Sequence, residues 1–179
     1  TSRTTSSTLD LAATRLEVTQ AIQDPRLNSV PLIAGKRTFV RVYAVSNEGG
    51  YRSNAVSARL SGRRGGTSLG TLLPLNPGGT IAVPMRTNPV VLNRSFLFEL
   101  PSTWTAAGTL SLSATVNPVR NPAELTFGNN DIARDVLFSQ TEPLALMLRN
   151  IGYSPGSAPG TVVRADSFHL DMLESWLRR

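Results

Sequence analysis

The stretch from Val30 to Ser46, VPLIAGKRTFVRVYAVS, constrains the fold more than any other part of the chain. From Thr38 onward Val40, Val42 and Ala44 alternate with Phe39, Arg41 and Tyr43, so one face of an extended segment carries small aliphatic groups while the other carries a charge and two aromatics. A period of two is the signature of a half-buried strand. The β-branched valines, stiff at χ1, suit a pleated surface better than a helix. With Gly35-Lys36 as the turn that sets its register, this segment reads as the entry to a β-sandwich core. Its small residues are expected to meet Leu110, Leu112 and Phe96 across the interior.

The same period recurs along the chain. Leu16, Val18 and Ile22 alternate with Arg15, Glu17 and Thr19, with a polar intrusion at Gln20, and Asp24-Pro25 ends this first strand because proline cannot donate to a ladder. Val56, Ala58 and Leu60 alternate with Ser57, Arg59 and Ser61. A short strand is expected around Leu69 to Leu75, another at Ile81 to Val83, and two core strands over Phe96–Leu100 and Thr109–Val116. Ile132 to Phe138 follows a Gly128-Asn129-Asn130-Asp131 turn. The polar leader TSRTTSST has nothing to bury.

Near the C-terminus the pattern changes. Leu144, Leu146 and Leu148 face one way while Ala145 and Met147 face the other, so both faces of that segment are apolar and it is expected to pack against something further along the chain. After a Gly/Pro/Ser linker, Asp166-Ser167 can cap a helix on which Phe168, Met172 and Trp176 recur at i, i+4 and i+8. The organisation this predicts is a leader over 1–14, a β-sandwich over 15–150, a linker over 151–164, and a helix over 165–179 that opens a following domain. Because the chain begins at Thr1, it reads as a mature or excised fragment.

Composition narrows the chemistry. Of 18 basic residues only Lys36 is lysine, and the arginines that carry the +6 net charge fall singly apart from Arg63-Arg64 and Arg178-Arg179, with no aromatic interleaving. That dispersal reads as solvated strand faces rather than a nucleic-acid footprint. The absence of cysteine excludes disulfide frameworks, thiolate metal sites and cysteine nucleophiles, and fits an exported bacterial protein, secreted or cell-surface. No apolar run approaches the about 20 residues that span a bilayer. His169 is the only histidine, so neither a two-histidine zinc site nor the usual Ser-His-Asp arrangement fits, and the 12 acids are scattered. No enzyme signature and no cofactor motif emerges. Asn129, Asp131 and Asp135, near Glu124, have the oxygen chemistry to hold calcium but match no twelve-residue loop.

VPLIAGKRTFVRVYAV at 30–45, GNNDIARDVLF at 128–138 and an order of about seven to nine short strands resemble bacterial immunoglobulin-like domains of the CARDB kind. More narrowly, LEVTQAIQD at 16–24 leading into VPLIAGKRTFVRV is similar to the immunoglobulin-like segment that precedes a zinc metallopeptidase-type domain in large exported bacterial proteins. Over roughly residues 15 to 150 the resemblance implies an all-β, antiparallel immunoglobulin-like sandwich with an appended amphipathic helix, acting as a non-catalytic accessory module. Its partner would be a neighbouring domain or another protein, met by Leu144, Leu146, Met147, Leu148, Phe168, Met172 and Trp176, with self-association through the helix. The alternative is a carbohydrate-binding module that stacks sugars on Trp104, Tyr43 and Tyr51.

Overall fold

Among the described residues most of the strand patterns are realised as strands, which form two sheets; Ile22 with Asp24-Pro25 and the run Leu144 to Leu148 lie outside the described residues. In the computed structural model, residues 8–20, 30–48, 55–142, 150–157 and 160–177 are described. They form β1 (Leu11–Thr19), β2 (Leu32–Ile33), β3 (Phe39–Ser46), β4 (Val56–Arg64), β5 (Thr67–Leu72), β6 (Thr80–Ile81), β7 (Phe96–Glu99), β8 (Gly108–Val116), β9 (Asp131–Ser139) and a helix α1 (Ser167–Leu177). One sheet has three strands in the order β1-β3-β7. The other has six, in the order β2-β9-β8-β4-β5 with β6 beside β4. All pairings are antiparallel except that of β2 with β9.

The alternation read from sequence decides which side chains enter the interior. Val40, Val42 and Ala44 of β3 join Val56, Ala58 and Leu60 of β4, Leu110, Leu112, Ala114 and Val116 of β8, and Phe96 and Phe98 of β7 in one buried cluster. Leu110 and Leu112 lie in the opposite sheet from β3, as expected. Phe96 does not: it is the register partner of Val42 within the same sheet. Period two assigns a residue to a face, whereas only the ladder assigns it to a sheet.

The sandwich begins earlier than the sequence suggests. Leu9 and Leu11 are fully buried, so the leader does not extend to residue 14. The reason is a bulge: the register of β1 against β3 shifts between Ala13 and Arg15. An extra residue inverts the alternation, so Leu9 and Leu11 point inward with odd numbers while Leu16 and Val18 do so with even ones. The sandwich unit runs to Thr141, and the remaining residues, Glu142–Arg179, form a second unit. Within that second unit the presumed linker closes on itself through paired backbone hydrogen bonds between Tyr153 and Val163 (3.0 and 2.8 Å).

Side chains and loop backbone together finish the outer edges of three strands. At β2, Gln20 donates from Nε2 to the Ile33 carbonyl and accepts from the Ile33 N–H, both at 2.7 Å; the polar intrusion in the first strand is a one-residue substitute for a neighbouring strand. Asn76 does the same at β7, accepting from Leu97 N–H (2.8 Å) and donating to Ser95 C=O (3.0 Å), while Leu75 N–H reaches Leu97 C=O (2.7 Å). At β1, Leu125 N–H donates to Leu9 C=O (2.7 Å), Ala13 N–H to Asn129 C=O (2.9 Å), and Arg134 Nη1 to Leu16 C=O (3.0 Å).

Trp104 plugs the interior. Its indole lies over Gly62 of β4 so closely that a Cβ there would stand 2.5 Å from Cζ3, and Arg64 holds the following turn by donating to the carbonyls of Trp104, Ala106 and Ala107 (2.8–3.0 Å). Gly62→Ala is therefore expected to lower unfolding free energy by about 1–3 kcal/mol through overpacking in urea denaturation. Adding Trp104→Phe should recover part of that loss, because the smaller ring clears the new methyl group.

Candidate functional site

The carbohydrate alternative depends on aromatic faces open to solvent, and the two described residues do not offer them. Trp104 is 3% exposed and Tyr43 0%, whereas a sugar-stacking platform must be bare. Tyr43 does point away from the core, but its ring is covered by the guanidiniums of Arg15 (4.3 Å from the centroid) and Arg41 (5.0 Å). Its hydroxyl donates to Glu17 Oε2 (2.7 Å), and Glu17 pairs with Arg15 (3.0 Å). Burial first, then the hydrogen bond to Glu17, push the phenol above its ordinary value of 10.0, against the pull of the two arginines. Tyr51 lies outside the described residues.

The calcium candidates do not converge. Asp131 and Asp135 are four residues apart on β9, which at about 3.3 Å per residue separates them by roughly 13 Å. Asp131 accepts from the Thr115 hydroxyl, and Asn129 donates from Nδ2 to both carboxylate oxygens of Asp10 (3.2 Å each). Among the described residues no group of three or more His, Cys, Asp or Glu side chains is placed to hold a metal ion.

Glu124, noted in the sequence only as a possible calcium neighbour, has a structural role instead. It is buried, and its carboxylate accepts from Leu11 N–H (2.7 Å), Asn117 Nδ2 (2.6 Å) and Asn130 Nδ2 (2.8 Å). Asn117 also donates to Pro122 C=O and Asn130 to Val116 C=O. The loop between β8 and β9 is thus tied to the start of β1 through one acid. Nothing local in the sequence marks Glu124, because its three donors lie 6, 7 and 113 residues away. The cleft beside it, about 160 Å³ and lined by Thr115, Asn117, Arg120, Phe127 and Asp131 among others, is smaller than the roughly 300–1,000 Å³ of ligand pockets.

The helix is where the interaction candidates meet solvent. Phe168, Met172 and Trp176 are 65, 59 and 70% exposed, and Leu173 stands beside them. Asp166 caps the helix as its position suggests, accepting from His169 N–H (3.0 Å) and from the His169 ring. These two bonds hold the Asp166 carboxyl below its ordinary range. The sole histidine is thereby committed to a helix start. Leu144, Leu146, Met147 and Leu148 lie outside the described residues.

No protein-family profile matches the chain, and no curated protein matches it. Solved structures similar to the chain include two of the CARDB domain of a Pyrococcus furiosus protein. A crystal structure, which is in complex with di-metal ions, has 18% identity and a TM-score of 0.43, covering 78% of this chain and 100% of its own. A solution structure has 17% identity and a TM-score of 0.41, covering 73% of this chain and 95% of its own. This is the domain type that the strand-and-turn motifs of the sequence resemble; the two-sheet sandwich itself rests on the ladders described above. No helix among the described residues is long and apolar enough to cross a membrane.

Two outcomes follow from this geometry. Glu124→Gln should strand amide donors at a cost of roughly 1–3 kcal/mol each, read as a lowered urea midpoint together with faster hydrogen exchange at Leu11 N–H. For Tyr43 the folded state favours the neutral phenol, so its contribution is full below pH 10 and is lost as pH rises through the raised value. Stability measured from pH 9 upward should fall in the wild type, and Tyr43→Phe should flatten that limb.

Proposed function

We propose that this chain is a non-catalytic accessory module: a β-sandwich carrier with a helix that docks a neighbouring domain or protein partner, in an exported, secreted or cell-surface bacterial protein. The observation that carries the reading is the exposure of Phe168, Met172 and Trp176 along one face of α1. Burying each is worth roughly 1.5–3 kcal/mol, and a helix in a protein owes most of its stability to tertiary packing of its amphipathic face. Such a helix gains both terms by packing into an apolar groove, with anchors at the i, i+4 and i+8 positions that this mode of recognition uses. The two-faced run Leu144, Leu146, Met147 and Leu148 is assigned to the same docking surface. The zinc metallopeptidase-type neighbour implied by the sequence resemblance is one partner of the required kind. The arginines support an architectural role for the sandwich, since Arg37, Arg41, Arg64 and Arg134 are spent on Glu99, Pro89, Trp104 and Leu16.

The two tryptophans make the reading testable, because Trp104 is buried and Trp176 exposed. As protein concentration rises, a second helix can stand in for the partner, and emission from Trp176 should move to shorter wavelength. Phe168→Ser combined with Met172→Ser should abolish the shift. Emission that stays that of a water-exposed indole at every concentration, unchanged by the double variant, would remove the helix as a docking element.

A further inference from the structure

The margins of the two sheets are not alike. Gln20 finishes β2, Asn76 with Leu75 finishes β7, and the loop before β9 with Arg134 finishes β1. Of the remaining edge strands, the two-residue β6 and β5, the longer is β5. It pairs with β4 on one side, where the Ser61 and Thr71 hydroxyls also meet (3.1 Å), and no hydrogen bond from any described residue reaches it from the other; a further bond is internal, from Gly70 N–H to Ser68 Oγ (3.3 Å). Open edges are ordinarily blunted by lysine, proline, another charge or a β-bulge, and Thr67–Leu72, TSLGTL, has only the last. Its one irregularity is the extra residue at Leu69, where the register against Gly62 and Arg63 shifts. Just past the strand, Leu73 and Leu75 are 69 and 55% exposed.

We propose that β5 is the seam at which a second copy of this chain pairs antiparallel, joining two six-stranded sheets into one continuous sheet about a two-fold axis. Three features select a second copy as the occupant. An uncharged strand can lie opposite itself without placing like charges in a cross-strand pair. Antiparallel pairing sets the Arg63-Arg64 end of one copy beside the uncharged Leu72-Leu73 end of the other, so the cations stay at opposite ends of the seam and the exposed leucines gain cover. A two-fold contact uses both open edges at once, giving a closed dimer rather than a filament. Six paired residues make a seam about 20 Å long, small beside a stable interface of roughly 1,200–2,000 Å², so the dimer dissociates on dilution. Salt should strengthen it by screening the +6 charge of each copy.

The test is sedimentation velocity of the full chain from micromolar to millimolar concentration, paired with backbone hydrogen exchange. The expected result is a monomer–dimer equilibrium in which outward-facing β5 amides slow as the dimer forms. Ser68→Lys with Thr71→Lys, both at exposed positions, should abolish the concentration-dependent slowing of the β5 amides with unchanged circular dichroism, while Trp176→Ser leaves that slowing intact. A chain that stays monomeric with freely exchanging β5 amides overturns the proposal and leaves the edge to a strand from another protein. Slowing of the β5 amides that is indifferent to the lysine pair overturns it too, and its loss in Trp176→Ser would assign the contact to the helix.

Discussion

The buried carboxylate of Glu124 is the interaction on which the closed end of the sandwich depends. A carboxylate leaves water only when hydrogen bonds replace its hydration, and Glu124 finds three: the N–H of Leu11 and the side-chain amides of Asn117 and Asn130. Because Leu11 opens β1 of the three-stranded sheet while Asn117 and Asn130 bracket the β8–β9 loop of the six-stranded sheet, one side chain joins the two layers. The left-handed backbone of Asn117 and Arg120, which β-branched residues would resist, belongs to the same closure.

The rest of the architecture follows from the same rule, that a backbone N–H or C=O withdrawn from water needs a partner. Sheets satisfy it internally and leave the problem at their margins. Here two side-chain amides, Gln20 and Asn76, each supply the donor and acceptor that an extra strand would have supplied. This permits short strands, the two-residue β2 above all, to survive at an edge. Polar residues in otherwise apolar stretches therefore serve as edge finishers, which explains why the strand at Leu16 carries Gln20 at its end.

The aromatics divide by environment rather than by type. Trp104 and Tyr43 are consumed by the fold, one as a plug over Gly62 and the other beneath two arginines, while Trp176 and Phe168 stand in solvent on a capped helix. Local periodicity identified the helix and its cap, since Asp166 and His169 are only three residues apart. It could not tell buried from exposed aromatics, because covering groups such as Arg41, which also reaches the carbonyl of Pro89, come from distant parts of the chain.

What the sequence by itself determined is most of the longer strands, their inward faces and the capped amphipathic helix, because side-chain alternation and capping are local properties of backbone geometry. What only the tertiary structure decided is membership and connection. It put Phe96 beside Val42 rather than across from it, restored Leu9 and Leu11 to the core through a bulge that inverts the alternation, and turned Glu124 from a supposed calcium neighbour into the tie between sheets. Among the described residues it also separated three closed margins from an open one at β5. Each of these is a non-local pairing, and a strand's own residues state which way its side chains point but not which backbone, or which distant donor, will meet them.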